Sequence, residues 1–194
     1  MRRATIAVAG ILAAVAVGCA PAGDGGREHS GDIPLPGQEW ALGDGKVTAA
    51  EYRTAVNRFV SCVRDAGYPV GAPVRSPADG LTLIYDITPS GDPTTYNEAV
   101  QTCNLAHLSM VEPAFVEAHT QVMARPLRAA VSACVRRQGV HVTTRERNLA
   151  DFAASAASAS ASASAEGERK VVDCVTGQWR RVYPELPSVV PLRF

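Results

Sequence analysis

The apolar positions of this chain change their period along its length, and each change marks an element. From Tyr52 they fall at Tyr52, Val56, Phe59, Val60 and Val63, which is the spacing of one helix face. Thr48 and Glu51 in front of them form a capping box, in which each side chain satisfies the other residue's free backbone N–H. Gly67 supplies the stop, because a residue without Cβ enters the left-handed conformation at little cost. A Pro- and Gly-punctuated loop follows. Leu81 to Ile87 then reads as one short strand, β-branched and aromatic, between Gly80 and Pro89. Thr94 or Thr95 is expected to cap a second helix carrying Tyr96, Val100, Cys103 and His107. Pro113 breaks that helix or opens a further helical piece reaching about Met123.

Pro126 opens a third helix, with Leu127, Ala130, Val131, Cys134 and Val135 on one face and Gly139 as its stop. Thr143 and Glu146 make a second capping box, expected to start a short helix with Leu149 and Phe152. Residues 153–165 contain only Ala and Ser. They offer no large apolar face, so they are expected as a frayed helix or loop insert that can be removed at little cost. A last helix runs from about Glu168 through Val171, Cys174, Val175 and Trp179 to a Pro-rich tail. The pattern predicts a mainly α fold with at most a short strand pair.

Two stretches repeat. Cys62-Val-Arg-Asp-Ala-Gly67-Tyr-Pro-Val70 aligns with Cys134-Val-Arg-Arg-Gln-Gly139-Val-His-Val142, both reading Cys-Val-Arg-x-x-Gly-x-x-Val. The next cysteine, Cys103 or Cys174, lies 41 residues on in the first case and 40 in the second. Two related halves follow, helix–extended segment–helix, at about 48–123 and 126–182. Four cysteines allow three pairings. Parsimony favours Cys62–Cys103 and Cys134–Cys174, since an ancestral unit with two cysteines would most simply have bridged itself. No C-x-x-C or zinc-type spacing occurs, so structural disulfides in an oxidising compartment are expected.

The N-terminus agrees with that compartment. Arg2 and Arg3 precede an uncharged apolar run from Thr5 to Val17, shorter than the roughly 20 residues that span a bilayer. It ends in Ala16-Val17-Gly18-Cys19. This resembles the lipobox of bacterial lipoproteins, although Leu is commoner where Ala16 stands. The resemblance covers about twenty residues. It implies a signal peptide at 1–18, cleavage before Cys19, and a lipid-modified, palmitate-bearing Cys19 in the membrane. Residues 19–37, rich in Gly, Pro and small polar side chains, then read as a flexible tether with a reach of about 25 Å. The remaining 38–194 form the folded domain. Tyr52, Cys62 and Gly67, as Tyr-x(9)-Cys-x(4)-Gly, loosely resemble the small actinobacterial lipoproteins of unknown function, a resemblance that implies no activity. Arginine outnumbers lysine 17 to 2, as in GC-rich genomes. In such a cell the anchor would sit in the outer face of the cytoplasmic membrane.

Charge is uneven. Residues 38–120 carry 10 acidic and 5 basic side chains, whereas 125–147 carry six arginines against Glu146. That basic run reads either as a face toward anionic lipid or cell-wall polymer, or as a solvated helix face complementing the acidic half. Nucleic acid is not expected as a partner outside the membrane. Asp44 to Glu51 resembles the second half of an EF-hand loop, but Trp40 and Leu42 stand where its first and third ligands belong, so a turn into a capped helix is expected instead. The histidines His29, His107, His119 and His141 show no metal spacing, and no G-x-S-x-G elbow occurs. No catalytic, cofactor or metal residue is therefore nominated. The reading is a cell-surface, non-catalytic binding or accessory module, with an envelope enzyme of unrecognised active site as the alternative.

Overall fold

A computed structural model describes residues 36–157 and 161–192, with the side chains of 161–164 left aside. Cys19, the expected signal peptide and nearly all of the tether lie outside these residues. Within them the fold is mainly α-helical, with one antiparallel two-stranded ribbon and two disulfides. Helix α1 (Glu39–Leu42) leads into α2 (Ala49–Asp65), strands β1 (Val74–Arg75) and β2 (Leu83–Ile84), α3 (Pro93–His107) and α4 (Val111–Glu117). The second half holds α5 (Arg125–Arg137), α6 (Leu149–Ala157) and α7 (Ala161–Val182).

Helix α2 begins as its sequence dictates. Thr48 caps Glu51, and the Glu51 carboxylate accepts from the Thr48 N–H at 2.8 Å. Its apolar stripe, Tyr52, Val56, Phe59, Val60 and Val63, is buried throughout. The segment that follows builds the same corner twice. Gly67 and Gly139 both adopt positive φ, and the residue after each donates its N–H back to Val63 or Val135 at 3.1 and 3.0 Å. The repeated arginine closes the corner. Arg64 donates to the Val70 carbonyl at 2.7 Å, and Arg136 donates to the Val142 carbonyl at 3.1 Å. The bridges Cys62–Cys103 and Cys134–Cys174 then join the paired helices, each with Cα atoms 5.7 Å apart.

The ribbon lies between two cores. Leu81, Leu83, Tyr85 and Ile87 pack on the first, with α2, α3 and α4. Ile84, with Val74 and Ala78, belongs to the second, with α5, α6 and α7. Successive residues of a strand point to opposite faces, so one strand serves both cores, and this explains why its sequence lacks a clean polar face. Residues 122–124 tie the halves further: Val122 and Ala124 donate to Asp79 and Pro77, and Met123 donates to Arg147.

Several sequence expectations are corrected. The strand has a partner inside the stretch read as loop, with Val74 opposite Ile84 and a further bridge between Val70 and Ile87. Asp92, not Thr94 or Thr95, caps α3 and accepts from the Thr95 N–H, because Pro93 is better placed at the start of a helix than Thr. The piece around Pro113 stops at Glu117, well short of Met123, which is buried in the second core. Helix α5 starts at Arg125, one residue before Pro126.

The Thr143–Glu146 pair makes one of the two capping-box bonds and starts no helix, since the Thr143 hydroxyl accepts from the Arg145 N–H rather than from that of Glu146. The Thr143 N–H reaches Glu146 at 2.9 Å, but the helix begins only at Leu149, where the Asn148 side chain accepts from the Asp151 N–H. The largest correction concerns the Ala/Ser segment. Its ends are helical in α6 and α7, Ala153 is buried, and Ala156 touches the α7 backbone at Gly167 so closely that a Cβ there would lie 2.7 Å from the Ala156 carbonyl oxygen. Small side chains are what let these two helices approach. Residues 158–160 lie outside the described ones.

Candidate functional site

A cleft lined by apolar and aromatic side chains lies where the ribbon, α3 and the C-terminal tail converge. Each element arrives for a local reason. Antiparallel pairing turns Leu83, Tyr85 and Ile87 of the ribbon toward α2, and the Tyr85 ring settles on Phe59 with centroids 5.4 Å apart. Val100, Gln101 and Asn104 come from consecutive turns of α3, which the Cys62–Cys103 bridge holds beside α2. The tail returns from the second half, where the Trp179 indole donates to the Pro187 carbonyl at 2.9 Å and Val190 packs in the core. Val189 and Leu192 thereby reach the rim of the cleft, where both are exposed. The resulting volume is about 530 Å³, within the range of small-molecule sites.

One end of the cleft is polar. Glu112 of α4 accepts from the Tyr52 hydroxyl at 2.8 Å, and the same hydroxyl accepts from the Leu83 N–H at 2.8 Å. Tyr52 thus binds α2, α4 and β2 together beneath the cleft. Burial, with the neighbouring Glu112 charge, pushes the hydroxyls of both Tyr52 and Tyr85 well above the ordinary tyrosine value. Both are therefore neutral throughout the physiological range. The cleft offers apolar and aromatic walls, a carboxylate and the side-chain amides of Gln101 and Asn104. That combination suits a ligand with an apolar body and a donor or cationic head.

The residues singled out in the sequence lie elsewhere. Cys62 borders a shallow depression with Arg58, Asp65 and His107, and the Nδ1 of His107 is buried without a hydrogen-bond partner. His119 packs on Phe115 with the rings tilted by 40° and its Nδ1 2.7 Å from the Phe115 carbonyl oxygen, and His141 is exposed. His29 lies outside the described residues. No group of three His, Cys, Asp or Glu side chains converges among the described residues. In the EF-hand-like stretch, Asp44 accepts from the Lys46 N–H and Glu51 is engaged in the cap, so both carboxylates serve a turn and a helix start. Sequence reasoning missed Tyr52, Tyr85, Gln101, Asn104 and Glu112 as a site. The alternation around Tyr85 was the one available signal, and nothing local marks Glu112.

Comparison with protein-family models, with curated proteins and with solved structures returns no match. The chemistry of the cleft therefore rests on its own geometry. Among the described residues, no helix is long and apolar enough to cross a membrane.

Proposed function

We propose that this chain is an envelope lipoprotein, acylated on Cys19, whose folded domain is a non-catalytic module binding an amphipathic ligand in the first-half cleft. The tether at 19–37 would place that module at an r.m.s. distance of about 25 Å from its anchor. The observation that carries the binding reading is the cleft itself, where Phe59, Tyr85, Val100 and Leu192 meet Glu112, Gln101 and Asn104. Two disulfides suit the oxidising compartment that a lipoprotein occupies.

Two measurements test the reading. Mass spectrometry of the N-terminal peptide from the native host should find a diacylglyceryl modification on Cys19, and Cys19→Ala should remain an unmodified precursor. Titration of the full chain with octylammonium, followed by backbone amide NMR, should shift Val100, Gln101, Asn104 and Leu192 saturably. Octanoate, repelled by Glu112, should bind at least tenfold more weakly. An unmodified, fully soluble wild-type protein contradicts the anchor. Equal binding of the two probes, or shifts away from the cleft, contradicts the site.

A further inference from the structure

We propose a second binding site, a phosphate-binding groove along α5 in which Arg125, Arg128 and Arg136 supply the cations. It is independent of the apolar cleft and of Cys19. The groove has a volume of about 310 Å³ and is also lined by Ser132, Thr143 and Glu146.

Three observations converge on it. First, its cations have no acidic partner. Among the described residues the ion pair is Lys170 with Glu166, and none of the arginines between 125 and 147 takes part in one. Glu146, the acid lining the groove, is buried and already engaged. Its carboxylate accepts from the Thr143 N–H at 2.9 Å, the Thr143 hydroxyl at 3.1 Å and the Ser155 hydroxyl at 2.8 Å.

Second, the repeat shows that this face is not the default of the fold. In the alignment that places Cys62 on Cys134, Arg128 and Ser132 stand where the first half has Val56 and Val60. Those valines are buried in a core to which α4 contributes Val111, Phe115 and Val116. In the second half the corresponding face of α5 stays open, and a cation replaces the apolar residue. Third, two of the cations stand where the helix itself disfavours them. Arg125 and Arg128 lie at the N-terminal end of α5, with no acid in its first turn and Ala124 as an N-cap without an acceptor side chain. Positive charge there opposes the helix dipole, and a bound anion would relieve it.

The geometry favours a phosphate ester over a single carboxylate. The guanidinium fork matches phosphate oxygens two at a time, and three cations within one groove suit a ligand with more than one anionic oxygen. Arg136 is positioned in advance, since its Nε and Nη2 donate to the Val142 carbonyl and Nη2 also to that of Thr143. The phosphate could belong to a lipid headgroup or to a soluble or polymeric phosphate ester; the recognising chemistry is shared.

The full chain should be titrated with inorganic phosphate at low ionic strength while the arginine Nε–H NMR signals are followed. Saturable shifts at Arg125 and Arg128 are expected. The R125Q/R128Q double variant should bind at least tenfold more weakly, whereas R180Q/R181Q, at the exposed end of α7, should match wild type. Co-sedimentation with phosphatidylglycerol or phosphatidylcholine vesicles separates the sources. A phosphatidylglycerol preference lost in R125Q/R128Q assigns a lipid headgroup; vesicle binding indifferent to the arginines, with phosphate binding intact, assigns a soluble or polymeric ester. Equal phosphate affinity in wild type and R125Q/R128Q, or no engagement of Arg125 and Arg128 by either probe, overturns the proposal.

Discussion

The two halves share a corner and differ in what holds their second helix. In both, a helix ends at glycine, the chain turns back, and a bonded arginine fixes the valine that follows. In both, a disulfide joins the first helix to the second. Yet α3 buries only Cys103, with Tyr96, Ala99 and Val100 partly covered, and leaves Leu105 43 % exposed. Helix α7 buries Val171, Cys174, Val175 and Trp179. The same covalent link therefore does different work. In the first half it joins to α2 a helix that packing covers only in part, beside the cleft. In the second it joins helices that packing already holds.

The largest effect that would sharpen this contrast is Trp179→Ala. The side chain is fully buried and its N–H is satisfied by Pro187, so truncation should cost about 3–5 kcal/mol in chemical denaturation. No residue of α3 should approach that figure. A loss below about 1 kcal/mol would mean that packing does not hold α7.

Tyr52→Phe probes the first half, where one hydroxyl joins α2, α4 and the ribbon. Removing it deprives the Leu83 N–H of its acceptor, and a loss of about 1–3 kcal/mol is expected. Gly167→Ala probes the close approach of α6 and α7. A methyl group there meets Ala156, so overpacking of about 1–3 kcal/mol should outweigh the roughly 0.5–1 kcal/mol that Ala gains over Gly inside a helix. A stabilised variant would show that the two helices do not touch.

How much of this was legible in the sequence depended on whether the deciding contact was local. The Thr48–Glu51 box and the glycine stops were readable because each involves neighbours. Thr143–Glu146 has the same pattern, but the helix start is taken by Asn148 and Asp151, and the Glu146 carboxylate is shared between Thr143 and Ser155, nine residues away. The Ala/Ser run was misread because helix was judged by large apolar side chains, whereas here the absence of bulk is what permits contact at Gly167. The repeat was legible from cysteine spacing, whereas the pairing rested on parsimony among three possibilities, and the observed bridges are the two it favoured. The cleft was not, since Glu112, Tyr85 and Leu192 meet only through the tertiary fold.

A smaller effect distinguishes the halves by pH. Tyr52 and Tyr85 have folded pKa values raised above the unfolded value of about 10. Their stabilisation is therefore complete below that value and declines as pH rises past it. Glu146 behaves oppositely. Burial would raise its pKa, but hydrogen bonds led by that of the Thr143 N–H outweigh burial and hold it below the ordinary glutamate range. Its contribution is present above about pH 4.3 and is lost as pH falls through the depressed folded value. Amide exchange should thus report alkaline loosening first around the ribbon and α4, and acid loosening first around 143–155. The reverse order would contradict these assignments.

The most direct test of the central contrast removes each bridge in turn and follows hydrogen exchange helix by helix. The chain-entropy term for loops of 41 and 40 residues is about 4 kcal/mol in both cases, so global stability should fall by similar amounts. Local protection should not. Cys62→Ala/Cys103→Ala should strip protection from α3 while α2 remains protected. Cys134→Ala/Cys174→Ala should leave Val171 to Trp179 exchanging only in step with the global loss. Selective undocking of α7 with α3 still protected, or equal local loss in the two variants, would contradict the account.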